Sequence, residues 1–290
     1  MLQFGLRAHD FGRLPAEVLA EKLERCKPVS IQLALAKAFP DNAADEGFLS
    51  PGYARRIRDI FVRRGMAIAV LGCYINPVHP EGEELERQLL RFEEHLRFAR
   101  DFGCAVVGTE TGSLNPDCSY HPGTQGQGTF DRLCGSVERL VRTAERCGSI
   151  VGIEPVADQH TLSSIEKTKA LIERIDSPAL RVIFDPVNLI PRSGLGESQE
   201  SFFKRAFEAF GPRIVVVHAK DFRFEKGRKS EAVAAGAGIF DFDAFFRMLQ
   251  AEKPGIDVLL ENTTPETAPA AMALLAAISA RSATPALKTS

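Results

Sequence analysis

The sequence lacks the features that mark several common functional classes. Its 290 residues carry 36 Lys and Arg against 38 Asp and Glu, so no basic excess favours nucleic-acid binding. The first residues, MLQFGLRAHDFG, carry charges and no apolar core, which argues against a signal peptide. The longest stretch of small apolar residues, 269–279, is too short to cross a bilayer. We therefore expect a cytoplasmic protein that binds neither nucleic acid nor membrane.

Paired cysteines and a dinucleotide motif are also missing. None of the six cysteines lies in a CxxC pair, which argues against a zinc finger or a dithiol redox site. We expect reduced and mostly buried thiols. No GxGxxG follows the first apolar run, so a dinucleotide site is not indicated.

Eight short apolar runs are present, and helix-like segments separate them. The runs are nearly continuous in Val, Ile, Leu and Ala, which is typical of parallel strands buried on both faces. Their starts are about 36 residues apart, enough for a strand, a helix and two loops. This predicts an α/β fold, a single (β/α)8 TIM barrel with a parallel eight-stranded core, in preference to an open doubly wound sheet. The runs are residues 2–10, 29–36, 66–76, 104–112, 149–156, 180–188, 213–221 and 256–263.

The barrel is predicted to occupy residues 1–279, followed by a flexible tail over 280–290 that lacks periodicity. A Ser-x-x-Glu signal, Ser163 to Glu166, predicts the start of one helix. Two long loops follow the fourth and seventh strands and should lie at the catalytic end of a barrel. The loops are residues 113–128 and 223–238; the predicted helices are 14–26, 83–103, 130–148, 163–175, 201–211 and 242–253.

The last four predicted strands each end in a residue that can bind a metal: Glu154, Asp185, His218 and Glu261. In a closed barrel these ends are neighbours on one rim. Singly, each residue has an ordinary structural explanation, such as a turn, a cap or a core histidine. Together, three buried carboxylates need a compensating cation, because mutual repulsion would otherwise protonate one of them. The set therefore predicts one divalent ion, with Mn²⁺ as the first candidate and Mg²⁺, Co²⁺ or Zn²⁺ as alternatives.

Five segments carry a resemblance to a known superfamily, in matching order and spacing. The sequence resembles the xylose isomerase-like TIM barrels over residues 2–278, in particular the sugar phosphate isomerases and epimerases. The resemblance implies that Glu154, Asp185, His218 and Glu261 bind the metal and that the two glutamates are the catalytic acid and base. It implies an isomerase or epimerase that acts on a ketose or keto-sugar by α-proton abstraction through an enediolate. The segments are GIEPV (152–156), FDPVN (184–188), VVHAKD (216–221), GAGIFDF (236–242) and LLEN (259–262).

The resemblance also nominates residues for binding the sugar. Ketose epimerases often carry a histidine three residues after the metal-binding aspartate, and this chain has Asn188 there. The nominated substrate-binding residues are His9, Tyr74, Glu110, Asn188 and Lys220.

Three alternative functions share this scaffold. An inosose-type dehydratase begins with the same proton abstraction, so the sequence leaves it open. A metal-dependent abasic-site endonuclease needs three metals and extra histidines, whereas this chain has Glu110 and Asn188 at two of those strand ends. A non-catalytic barrel subunit would not need four intact ligands.

The expected partner is a small-molecule sugar, phosphorylated or not, and relatives suggest a homodimer or homotetramer.

Overall fold

The computed structural model describes residues 1–40 and 47–282, and it confirms the predicted barrel. Eight parallel strands close in the order β1-β10-β7-β6-β5-β4-β3-β2. Two further short strands, β8 and β9, form an antiparallel hairpin in the loop after β7. The strands are β1 Gln3–Arg7, β2 Ser30–Ala34, β3 Ala67–Gly72, β4 Val106–Glu110, β5 Ile150–Glu154, β6 Leu180–Phe184, β7 Ile214–Ala219, β8 Phe224–Glu225, β9 Arg228–Lys229 and β10 Asp257–Leu260.

Helices surround the strands. All six predicted helices form, with small changes at their ends, and two long helices that were not predicted, α3 and α10, complete the ring. Two single turns, α2 and α7, follow β2 and β6. The helices are α1 Ala16–Glu24, α2 Leu35–Ala38, α3 Pro51–Val62, α4 Gly82–Phe98, α5 Gln127–Cys147, α6 Ile165–Ile175, α7 Pro186–Leu189, α8 Gln199–Phe210, α9 Phe242–Glu252 and α10 Ala268–Ser282.

The predicted cap of α6 was wrong by one residue. Ser164, rather than Ser163, is the N-cap, and its hydroxyl accepts a hydrogen bond from the backbone N–H of Lys167. The hydroxyl of Ser163 instead donates to the side chain of Gln125. This contact ties the start of α6 to the loop that precedes α5.

The structure describes the first residues of the segment that was predicted to be a flexible tail. Helix α10 continues to Ser282, three residues into the segment predicted as a tail, and the remainder of that segment, 283–290, lies outside the described residues. No helix in the described ranges has both the length and the apolar content needed to cross a membrane.

Aromatic packing holds β6, the strand that Asp185 directly follows. Phe184 ends β6 with its side chain directed outward, where its ring centroid lies 5.5 Å from that of Phe210 and 5.9 Å from that of Phe245. Edge-on contacts of this kind are favourable and hold a strand against its helices. Because successive side chains of a strand point to opposite faces, the next residue, Asp185, is directed into the barrel mouth.

Gly5 gives a test of how closely the barrel strands pack. A Cβ at this position of β1 would lie 2.4 Å from the carbonyl oxygen of Ser30 and 2.5 Å from Leu259. We expect Gly5→Ala to lower the free energy of unfolding by about 3 kcal/mol, since the backbone of β2 would have to move. Urea unfolding followed by circular dichroism measures this.

The matched control is Gly135→Ala, in the middle of α5, where an added Cβ meets nothing within 4 Å. There we expect stabilisation by about 0.5–1 kcal/mol from the better helix propensity of alanine. Equal effects of the two substitutions would contradict the packing described for β1.

Candidate metal centre

The four predicted ligands meet at the carboxyl ends of four consecutive barrel strands. Glu154 is the last residue of β5, Asp185 follows β6, His218 lies in β7, and Glu261 follows β10. All four are buried, with exposures of 3% or less. Each offers one ligand atom, and these atoms lie within 4.8 Å of one another. The closed topology thus brings together side chains that are up to 107 residues apart in sequence, from 154 to 261.

His218 has the protonation pattern of a metal ligand. Its Nε2 lies 2.6 Å from the side-chain oxygen of Gln32. This oxygen can only accept a hydrogen bond, so Nε2 carries a hydrogen, and in the neutral ring the lone pair is on Nδ1. Nδ1 faces Glu154 Oε1 at 3.3 Å and Glu261 Oε1 at 3.2 Å, and it has no hydrogen-bond partner.

Electrostatics at this point favour a positive charge. Burial alone would lower the pKa of His218, but the charges of Glu261 and Glu154 outweigh it and raise the pKa to about 9. A proton at Nδ1 and a metal ion would therefore occupy the same position and compete for it. Three carboxylate oxygens and one imidazole nitrogen suit a divalent ion of hard or borderline character, so the residues fit the predicted group.

Two fixed cations also neutralise the carboxylates. The ammonium of Lys220 lies 2.6 Å from Asp185 Oδ2 and 2.9 Å from Glu261 Oε2. The guanidinium of Arg7 lies 3.0 Å from Glu261 Oε1 and also pairs with Asp10. Lys220 was predicted to contact sugar; the structure shows it bound to two of the ligand carboxylates while it also lines the cavity.

The two glutamates have different surroundings. Glu154 accepts a hydrogen bond of 2.7 Å from the side-chain amide of Asn188, and burial raises its pKa against the opposing charge of His218. Burial also raises the pKa of Glu261, but the charges of His218, Lys220 and Arg7 outweigh it and hold that pKa well below its usual value. Glu261 is therefore the carboxylate more strongly held in its ionised form.

Asn188 is placed by the same turn that orients Asp185. The Asp185 side chain caps the turn α7 by accepting from the backbone N–H of Asn188, at 2.9 Å. That bond and the one from the Asn188 amide to Glu154 link the ligands of two neighbouring strands. Asn188 was predicted to bind substrate; in the structure its amide binds a ligand carboxylate and also borders the cavity.

The other three predicted substrate-binding residues lie at or just after the ends of β1, β3 and β4, outside the wall of the cavity described below. His9 is in a short 3-10 turn after β1, rather than in the strand, and its ring meets the edge of Tyr74. Burial, helped by the charges of Arg7 and Lys37, lowers the pKa of His9 to about 3, so its ring is neutral. Glu110 ends β4 and is paired in register with Glu154.

Sequence reasoning missed Arg7 and Gln32. Both are polar residues of barrel strands, and Gln32 is only 2% exposed although it lies in an apolar run. A buried amide must form hydrogen bonds, so a glutamine within an apolar strand is the feature of the sequence that points to Gln32. Besides His218, Gln32 bonds the Tyr74 hydroxyl through its amide nitrogen at 2.7 Å.

A cavity of about 810 Å³ opens beside the cluster. Asn188 and Lys220 form part of its wall and contact the ligand carboxylates directly. The two loops predicted to lie at the catalytic end contribute Tyr120 and Ser230 to the wall. The metal-ligand cluster is therefore next to a space that is large enough for a small polar substrate.

Comparison with known proteins identifies the family but not the reaction. The sequence is 27% identical over 101 residues to a 3-oxo-isoapionate decarboxylase from Pectobacterium atrosepticum, a match that spans 33% of this chain and 34% of that enzyme. The structure resembles an L-ribulose 3-epimerase (TM-score 0.73, 14% identity, 97% of this chain and 96% of the other).

It also resembles a xylose isomerase-like TIM barrel protein from Mycobacterium smegmatis in complex with magnesium (TM-score 0.71, 17% identity, 98% and 97% covered). At these identities the structural likeness shows the fold alone. The xylose isomerase-like TIM barrel family matches the sequence over residues 31–278. This chain belongs to the xylose isomerase-like TIM barrel family.

Proposed function

We propose that this chain is a divalent-metal-dependent isomerase or epimerase that acts on a ketose or keto-sugar. The observation that carries the proposal is the convergence of His218 Nδ1 on Glu154 and Glu261, at 3.3 and 3.2 Å, beside the cavity. This arrangement of a buried imidazole nitrogen and two carboxylates is unfavourable unless a proton or a metal ion lies between them. The family match and the epimerase among the similar structures support a sugar as the substrate.

The residues proposed to hold the ion are Glu154, Asp185, His218 and Glu261, with Mn²⁺ as the first candidate. When bound, such an ion supplies Lewis-acid charge that stabilises negative charge developing on neighbouring substrate oxygens. Gln32 keeps the His218 ring in the tautomer that leaves Nδ1 free to bind.

The two glutamates would move the proton. One carboxylate, ionised at the start, removes the proton from the carbon next to the carbonyl and leaves an enediolate, and the other, protonated at the start, delivers its proton. Delivery to the opposite face of the same carbon inverts that centre, whereas delivery to the neighbouring carbon, with a hydroxyl proton moving between the two oxygens, interconverts ketose and aldose. Asn188 holds Glu154, while Arg7 and Lys220 hold Glu261, so each carboxylate has a fixed position. His9, Tyr74 and Glu110 are proposed to contact the sugar hydroxyls from the ends of β1, β3 and β4.

Removal of the Gln32 side chain tests the metal centre. We expect the purified chain to bind about one divalent ion, and Gln32→Ala to weaken binding about 10- to 100-fold because the His218 ring is no longer held in one tautomer. Calorimetric titration of chelator-treated protein with Mn²⁺ measures both. Gln250→Ala, which removes a glutamine bonded to Ser279 on the outer helices, should leave the affinity unchanged. Three bound ions, or equal effects of the two variants, would contradict the proposed centre.

Substitution of either glutamate tests the acid–base pair. Glu154→Gln and Glu261→Gln should each slow solvent-deuterium exchange at the α-carbon at least about 100-fold, because an amide cannot accept the proton. The readout is NMR of a panel of ketoses, 3-keto-sugars and inososes in D₂O with Mg²⁺-loaded protein. Glu145→Gln serves as the control, since Glu145 bonds Ser177 on the outside of the barrel. Exchange that survives in either active-site variant would remove that residue from the proposed role.

A dehydratase is the second candidate, because a probable dehydratase is among the structures that resemble this chain and Asn188 departs from the epimerase pattern. In this chain the position where epimerases often carry a histidine holds an amide that bonds Glu154. We expect the exchanged substrate to appear as an epimer or aldose with deuterium at the reacting carbon. NMR of the product mixture separates the two reactions, because loss of a hydroxyl and appearance of an unsaturated or deoxy product would assign a lyase instead.

A further inference from the structure

The cavity is larger than one sugar ring requires. At about 30 Å³ for each water-sized group, its 810 Å³ has room for roughly 27 such groups, about twice what a single hexose presents. Asn188 and Lys220 border the part next to the metal-ligand cluster. Most of the rest of the wall comes from loops after β4, β5, β6 and β7, which contribute Tyr120, Gln159, Arg192 and Ser230 among others.

The loop after β4 is built as a fixed wall. Asn76, which is 2% exposed, donates through its side-chain amide to the carbonyl oxygens of Ser113 and Asn115 at 2.8 and 3.0 Å. The Ser113 hydroxyl donates to the carbonyl oxygen of Ser119 at 2.6 Å. The Asn115 amide donates to the carbonyl oxygen of Tyr120 at 2.8 Å. Buried side chains thus satisfy the loop backbone directly, which leaves Ser119 and Tyr120 in defined positions.

This fixed loop presents an exposed aromatic ring. Tyr120 lines the cavity with 64% of its surface exposed, and its side chain makes no hydrogen bond to any described residue. Arg192 lines the same cavity, and its guanidinium likewise has no hydrogen-bond or ion-pair partner within the described ranges. A tyrosine ring offers a broad apolar face with few rotatable bonds, which suits the C–H face of a sugar, while a free guanidinium suits its hydroxyls.

We propose that the outer cavity is a second sugar subsite, so that the substrate is a ketose carrying a further sugar unit rather than a free monosaccharide. The inference rests on the proposed function, since the reacting keto unit is assigned to the metal-proximal end. In this arrangement the ring of Tyr120 stacks on the second sugar and the guanidinium of Arg192 donates to its hydroxyls.

Saturation-transfer NMR with lactulose, a fructose unit carrying galactose, tests the subsite independently of turnover. Protein loaded with Mg²⁺ is irradiated at its aromatic protons, and transfer to the galactose protons is measured. We expect clear transfer with the unaltered chain, at least about a fivefold loss in Tyr120→Ala, and retention in Tyr120→Phe, which keeps the ring. No transfer to galactose, or equal transfer in all three proteins, would overturn the proposal.

Exchange kinetics separate this inference from the proposed function. In D₂O, Tyr120→Ala should lower kcat/KM for exchange at C3 of lactulose about tenfold and leave that for fructose within about twofold. An equal loss with both ketoses would show that Tyr120 serves the keto unit and would overturn the second subsite. If the unaltered chain transfers saturation to galactose but exchanges neither ketose, the subsite stands and the proposed reaction fails.

Discussion

The mouth of this barrel depends on one constraint, the concentration of buried negative charge. Glu154, Asp185 and Glu261 lie around His218, and Asp10 joins them through its ion pair with Arg7. These four carboxylates have two fixed cations in direct contact, Arg7 and Lys220, which leaves two negative charges. Like charges in a poorly solvated site repel strongly, so a further positive charge is needed. A divalent ion would supply both missing charges, whereas a single proton on His218 would supply one of them.

The same constraint explains why each polar side chain around the cluster bonds one or two of the four candidate ligands. Gln32 accepts from His218 Nε2, and this keeps Nδ1 as the ring nitrogen that faces the two glutamates and is available to a proton or to the proposed metal ion. Asn188 can only donate to Glu154 through its amide nitrogen, and it does not titrate. Lys220, bound to two carboxylates, has little freedom to follow a substrate. The residues nearest the metal ligands therefore act mainly to fix charge and orientation.

Topology made most of the site predictable. Once eight parallel strands are inferred, their carboxyl ends must meet, so Glu154, Asp185, His218 and Glu261 converge whatever their separation in sequence. Gln32 and Arg7 were missed because a strand pattern does not show which partner a buried polar side chain will find. Helix α10 was missed for another reason: its run of alanine and leucine has little polar face, so no helical period is visible. Such a helix depends on packing against its neighbours rather than on its own pattern.

Much of the cavity wall that would surround a substrate is built apart from the four candidate metal ligands. Epimerisation, isomerisation and dehydration share the removal of one proton and differ in what surrounds the neighbouring carbon. Here that surrounding wall comes from loops whose shape is set at a distance from the ligands. At Gly112, φ is +61° and a Cβ would lie 2.1 Å from the Asn76 side-chain oxygen, so glycine is required for Asn76 to brace the loop. Substitutions in such a brace can reshape the cavity without touching a candidate ligand, which is a route by which one scaffold can serve different reactions.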